Sequence, residues 1–171
     1  MVSVKTKTVL ADEIGALVRA VGDKLDAEEG DAERDYLALH CPSRLEKTVR
    51  ELPTLSLHLL AALADGPLSV VGLASATGQL KGTVSKHVQR LVDAGLVLRT
   101  PIPGNRKELQ LAPTPDGATL IVVHARMHDE MNAGLREFLV RYSNAELTVL
   151  TRVLQDLLAT TKDGVRMVPG N

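Results

Sequence analysis

Apolar positions recur every three to four residues along most of this chain. Leu10, Ile14, Leu17, Val21 and Leu25 form one such stripe, which predicts an amphipathic helix from about Thr8 to Glu28. The acidic run DKLDAEEGDAERD that follows reads as a solvated helix end with a turn at Gly30. A second helical stretch spans about Ala32 to Glu51. Pro42 kinks it or starts a new helix, because proline removes a donor and pushes the residue before it out of helical geometry. Pro53 ends it. TLSLHLLAALADG is a short buried helix closed by Gly66, and Ser69 can cap the next one, VVGLASAT, which Gly78 ends. Next, Val84, Val88, Leu91 and Val92 form a stripe at i, i+4, i+7 and i+8, and Gly95 stops that helix. LVLRT and RKELQLA are β-prone runs on either side of the turn PIPGN, which predicts a hairpin. The helical pattern returns from Pro115 to about Phe138. Ser143 and Glu146 make a capping box for a last helix bearing Leu147, Leu150, Leu154, Leu157 and Leu158. The Gly- and Pro-containing tail after Lys162 is expected to fray.

The polar positions then change the picture. Opposite the Val84/Val88 stripe stand Lys81, Thr83, Lys86, Gln89 and Arg90. A short helix, a tight turn at Gly78 and a basic helix make a helix-turn-helix. The hairpin, stiffened by Pro101 and Pro103 and turned at Gly104, is a wing with a basic tip. Across the chain of 171 residues the formal net charge is only −1. Yet residues 81–107 carry Lys81, Lys86, Arg90, Arg99, Arg106 and Lys107 against Asp93 alone, a net +5. A basic block on a near-neutral chain is the electrostatic footprint of a nucleic-acid partner, while the bland alternative is a solvated basic face. Base edges or phosphates are the expected partners of Lys81, Thr83, Ser85, Lys86 and Gln89, and phosphate is that of Arg90. Asn105, Arg106 and Lys107 form the wing tip. His87 flanks the apolar stripe and reads as structural, at most a contact to the DNA backbone and not a switch.

Composition adds bounds. Aromatic residues are 2% of the chain and Trp is absent, so the core must be built from Leu, Val and Ala, which favours packed helices. One cysteine excludes an intramolecular disulfide and points to a reducing compartment. No signal-peptide core and no long apolar run are present, so a cytoplasmic protein without membrane partners is expected. An enzyme is disfavoured. HARMH is not His-Glu-x-x-His, since Ala125 stands where the general base would be, and no nucleophile elbow or Gly-rich phosphate loop appears.

The stretch LSLHLLAALADGPLSVVGLASATGQLKGTVSKHVQRLVDAGLVLRTPIPGNRKELQLAPTPDG resembles the winged helix of MarR-type transcriptional regulators, and the resemblance extends over roughly residues 55–160. TVSKHVQRLVDAGLV is close to that family's recognition-helix pattern. The wing departs from the family's usual Asp-x-Arg, reading Asn105-Arg106-Lys107 instead. The resemblance implies a mainly α fold: a winged helix-turn-helix with a small β-hairpin wing and N- and C-terminal dimerisation helices. Residues 1–52 would be a helical arm, 53–114 the DNA-binding domain and 115–171 the C-terminal dimerisation helices. It also implies a homodimer reading a pseudo-palindrome in duplex DNA, with the helix about 80–94 in the major groove and the wing about 99–111 at the minor groove. A winged helix used only for protein contacts is the alternative that needs no DNA.

Three effectors are open. Zinc-dependent repressors of the family use a His in the second helix and a His-x-x-x-His pair after the wing, which His58, His124 and His128 resemble. Asp35 and Cys41 match in local spacing, and Glu33 or water are other candidates for a fourth ligand. Leu57 and Val123 stand where those repressors have a glutamate, so a second metal site is not implied. Oxidation of Cys41 is the second route, since peroxide-sensing relatives carry one reactive N-terminal cysteine. A small organic anion bound between the helices and the DNA-binding lobe is the third.

Overall fold

The computed structural model describes the backbone of residues 6–102, 105–163 and 166–168, and the side chains of residues 6–22, 32–101 and 109–161. Its elements form two compact units, Met1–Met127 and His128–Asn171.

The N-terminal unit opens with α1 (Lys7–His40), a single helix of 34 residues capped by the Thr6 hydroxyl, which accepts from the Val9 amide. The expected turn at Gly30 does not form. One glycine costs about 1 kcal/mol relative to alanine in a helix, and the Ala and Glu residues on both sides of it favour helix enough to carry the chain through. The break comes instead at Pro42. Cys41 before it is forced extended, with φ −82° and ψ 163°, and α2 (Ser43–Glu51) starts afresh. Pro53 then stands at the N-terminal boundary of α3 (Thr54–Ala61).

A two-residue strand, β1 (Leu68–Ser69), precedes α4 (Val70–Thr77). The Ser69 hydroxyl accepts from the Gly72 amide, and Gly78 ends α4 in the left-handed region at φ 65°. Then follow α5 (Lys81–Asp93), β2 (Val97–Ile102) and β3 (Asn105–Pro113). The three strands form an antiparallel sheet in the order β1-β3-β2, with Leu68 opposite Leu111 and Arg99 opposite Leu111 on the other side. Pro101 is tolerated because β2 is an edge strand. The apolar stripe of α5 does what its spacing predicts: Val84, Val88 and Leu91 are all fully buried. With Leu59, Leu60, Leu73, Leu96, Leu111 and Leu120 they make an aliphatic core.

The helix α6 (Pro115–Leu139) begins in this unit. Its start is pinned to the turn that follows α5. Thr114 Oγ1 donates to the Gly95 carbonyl and accepts from the Gly117 amide, while the Thr114 amide donates to the Leu96 carbonyl. Arg44 of α2 pairs with Asp116.

The second unit holds the end of α6, then α7 (Asn144–Leu158) and a hairpin of β4 (Thr161–Asp163) and β5 (Arg166–Val168). The capping box is formed as expected. The Ser143 amide donates to the Glu146 carboxylate at 2.8 Å, and the Glu146 amide donates to Ser143 Oγ. The tail does not simply fray, because Thr161 pairs with Val168 and Lys162 with Met167 in an antiparallel ladder.

Candidate nucleic-acid interface

With one face of α5 packed into the core, the polar face turns outward. Lys81, Ser85, Lys86, Gln89 and Arg90 are exposed, and Thr83 is half-buried at the edge. Two contacts organise this face. The Gln89 amide donates to Asp93 Oδ1 at 2.7 Å, which engages the helix's single acid. The Ser56 hydroxyl of α3 lies 2.8 Å from Nδ1 of His87. Arg99 is exposed on β2, a cation of the wing beside those named for the tip. The side chains of Asn105, Arg106 and Lys107 lie outside the described residues, as do Pro103 and Gly104 altogether.

A second cluster lies within the N-terminal unit. Nε2 of His58 on α3 is 2.5 Å from Oε2 of Glu33 on α1, whose side chain is only 8% exposed. The ring of His124, buried on α6, sits edge-on to His58 with centroids 5.6 Å apart. The sequence names His58 and His124, and the structure brings them together. Of the candidates for a fourth position, Glu33 meets His58, whereas Asp35 accepts from Arg50 at 2.8 Å. His128 follows four residues later on α6 and is exposed. Among the described residues no group of three His, Cys, Asp or Glu side chains is arranged to hold a metal ion. The crevice lined by Leu37, Leu57, Leu60, Leu120 and His124 is too narrow for a water molecule.

Cys41 is half-buried, with its thiol directed at the Ala38 carbonyl. Burial pushes its pKa up, and Glu46 adds to this, while a backbone hydrogen bond and Arg50 and Arg44 pull the other way with less effect. A sensor thiol needs the opposite shift. His40 donates from Nδ1 to the Tyr36 carbonyl and stacks on the Tyr36 ring at 4.0 Å.

The arrangement is a short helix, a left-handed glycine turn, a basic helix with one face buried, and a two-stranded wing. Residues 51–108 match the sequence profile of the MarR family. That match covers about a third of the chain, and over it the chain is similar to the MarR family. The HTH-type transcriptional regulator YhjH of Bacillus subtilis is 29% identical over 136 residues, covering 79% of this chain and 68% of the relative. Two solved structures have a similar fold. FabT of Streptococcus pneumoniae in complex with DNA has a TM-score of 0.67 at 17% identity, covering 86% of this chain and 94% of that one. The adhesin competence repressor AdcR of Streptococcus pyogenes has a TM-score of 0.61 at 18% identity, covering 85% and 93%. YhjH is named as a transcriptional regulator and AdcR as a repressor, and FabT was solved with DNA. Among the described residues no helix is long and apolar enough to cross a membrane.

Proposed function

We propose that this chain is a MarR-type regulator that binds duplex DNA as a homodimer and regulates transcription from a pseudo-palindromic site, with α5 in the major groove and the wing, about residues 99–111, at the minor groove. The observation that carries this reading is the split of α5. Val84, Val88 and Leu91 are wholly buried while Lys81, Ser85, Lys86, Gln89 and Arg90 stand exposed on the other side. A helix held this rigidly by one face offers the other as a preformed reader. Residues 53–114 supply the DNA-binding part, and residues 1–52 and 115–171 supply the association of two copies. Arg106 and Lys107 of the wing would meet phosphate, with Asn105 beside them.

Reversing one charge tests this. Lys86→Glu, assayed by fluorescence anisotropy on a duplex enriched from a random library with the wild-type protein, is expected to weaken binding at least about tenfold at moderate salt. That is the loss of one charge-assisted contact of about 1.5–3 kcal/mol. Unchanged affinity would show that α5 does not enter the groove. A winged helix that binds only protein would behave that way.

A second reading concerns the effector. The pairing of Glu33 with His58, next to His124, favours zinc over an organic anion or Cys41 oxidation. A buried carboxylate and two imidazoles are the oxygen and nitrogen donors that zinc takes. The residue types fit the ion. In the structure, though, Glu33 occupies Nε2 of His58, so metal binding would have to release the proton those two groups share. His128, Asp35, Cys41 and water are the candidates to complete the shell. Zinc titrated into metal-free protein should bind with a defined stoichiometry and change duplex affinity. Replacing His58 and His124 with alanine should lower zinc affinity at least about tenfold. Equal zinc binding by both proteins would remove these residues from the site.

A further inference from the structure

Ser56 is fully buried in the first turn of α3, and its hydroxyl faces Nδ1 of His87 across the α3–α5 contact. His87 is partly exposed. Burial lowers its pKa below the ordinary imidazole value, and Arg90 and Lys86 lower it further. The groups around it are of one sign. On α5 these are Lys86 and Arg90, since Asp93 is engaged by Gln89. Of the elements packed against α5, α3 has His58 as its sole titratable side chain, engaged with Glu33; α4 has none; and β2 adds Arg99. A neutral imidazole that accepts the Ser56 hydroxyl at Nδ1 carries its proton on Nε2, the opposite edge of the ring. A hydrogen-bond donor flanked by two cations, with no acid left open to it on these elements, is a site for an anion.

We propose that His87 is a DNA-phosphate contact, in which Nε2–H donates to a phosphate oxygen shared with Lys86 and Arg90, and that Ser56 sets the tautomer this contact requires. The proposal rests on the reading that α5 enters duplex DNA, and it adds a proton to that binding event. A phosphate beside the ring offsets the repulsion from the two cations and favours imidazolium. The Ser56 hydroxyl can then turn and accept from Nδ1–H, so the contact survives protonation. The free protein holds its His87 pKa below the ordinary value, and the complex raises it. Affinity therefore rises as pH falls through the bound-state pKa, and levels off below the free-state pKa.

The test measures affinity for the same enriched duplex from about pH 7.5 to about pH 5.5, the range in which imidazole titrates. Wild type is expected to gain about three- to tenfold on acidification, the effect of a half to one pKa unit. His87→Gln keeps a donor but does not titrate. It should lose that gain, so that its affinity stays flat across the pH range. Ser56→Ala should keep the gain and lose about fivefold at the upper pH, one hydrogen bond's worth. Lys86→Glu runs alongside. If it binds as tightly as wild type, the DNA reading fails and takes this proposal with it. If it binds weakly while His87→Gln keeps the wild-type pH slope, the DNA reading stands and the role of His87 is wrong. Should His87→Gln fold poorly, imidazole titration of the wild-type protein by NMR, with and without the duplex, reads the same quantity. A His87 pKa that does not rise on binding overturns the proposal.

Discussion

Gly117→Ala is expected to destabilise the protein by about 3 kcal/mol, near the upper end for overpacking a tight contact. A Cβ at this position would lie 2.1 Å from the Leu96 carbonyl oxygen and 3.3 Å from Leu60 Cδ1. The first of these is backbone, so no rotamer change can relieve it. The carbonyl is itself fixed, since it accepts from the Thr114 amide, and Thr114 in turn ties Gly95 to the first turn of α6. The sequence Thr114-Pro115-Asp116-Gly117 is thus a clamp. It presses the start of α6 onto the turn that ends α5, and glycine is there for the close approach rather than for an unusual φ. In a chain of this size the loss corresponds to a fall of about 6–12 °C in the unfolding midpoint. Gly134→Ala on the same helix should move the other way. Nothing stands within 4 Å of a Cβ there, and alanine is favoured over glycine in a helix interior by about 1 kcal/mol. Thermal unfolding of the two variants checks both signs. A Gly117→Ala protein as stable as wild type would mean that α6 is not held against Leu96.

What could be read from sequence, and what could not, divides by the distance along the chain over which each feature is set. The Ser69 and Ser143 caps, the Gly78 and Gly95 turns and the α5 stripe are local, and each appears where its residues put it. The winged helix follows from them. Gly30 misleads because a single glycine is a weak breaker inside strong helix formers, whereas Pro42 acts through sterics that no neighbour can outvote. The strand β1 is two residues long and exists because β3 offers it an edge, which no pattern in Leu68–Ser69 announces. The same holds for the polar contacts. Glu33 and His58 are 25 residues apart, and Ser56 and His87 are 31 apart. Sequence singles out His58 by its neighbours in the motif but has no means of choosing Glu33 over Asp35. That choice comes from which face of α1 turns toward α3. Ser56 carries a weaker signal: a serine hydroxyl set between leucines in TLSLHLLAALADG must find a partner once buried.

Replacing Leu150 and Leu154 together with arginine is expected to yield a monomer and to lower affinity for the enriched duplex by at least about a hundredfold. The helix α7 has no buried residue, although its leucines recur at helical spacing and its capping box is complete. Leu150 and Leu154 are 46% and 48% exposed, with Val149 and Leu158 more so. On α1, Val9, Leu10, Ile14, Leu17, Val18 and Val21 are likewise uncovered. Contiguous apolar faces of this kind are rare on a monomer and mark surfaces that another chain covers. Two linked readers convert the second half-site into an intramolecular contact, which multiplies affinity by about 10²–10⁴ without any change at the DNA. Separating the copies forfeits that factor while leaving α5 and the wing intact. Mass by light scattering, helix content by circular dichroism and duplex affinity together test the claim. A monomer with wild-type helix content and weak binding is the expected triad. A stable dimer would move the interface to another face, with the α1 stripe the next to be charged. A monomer that still binds with full affinity would show that one copy suffices, and that the site is not read as a pseudo-palindrome.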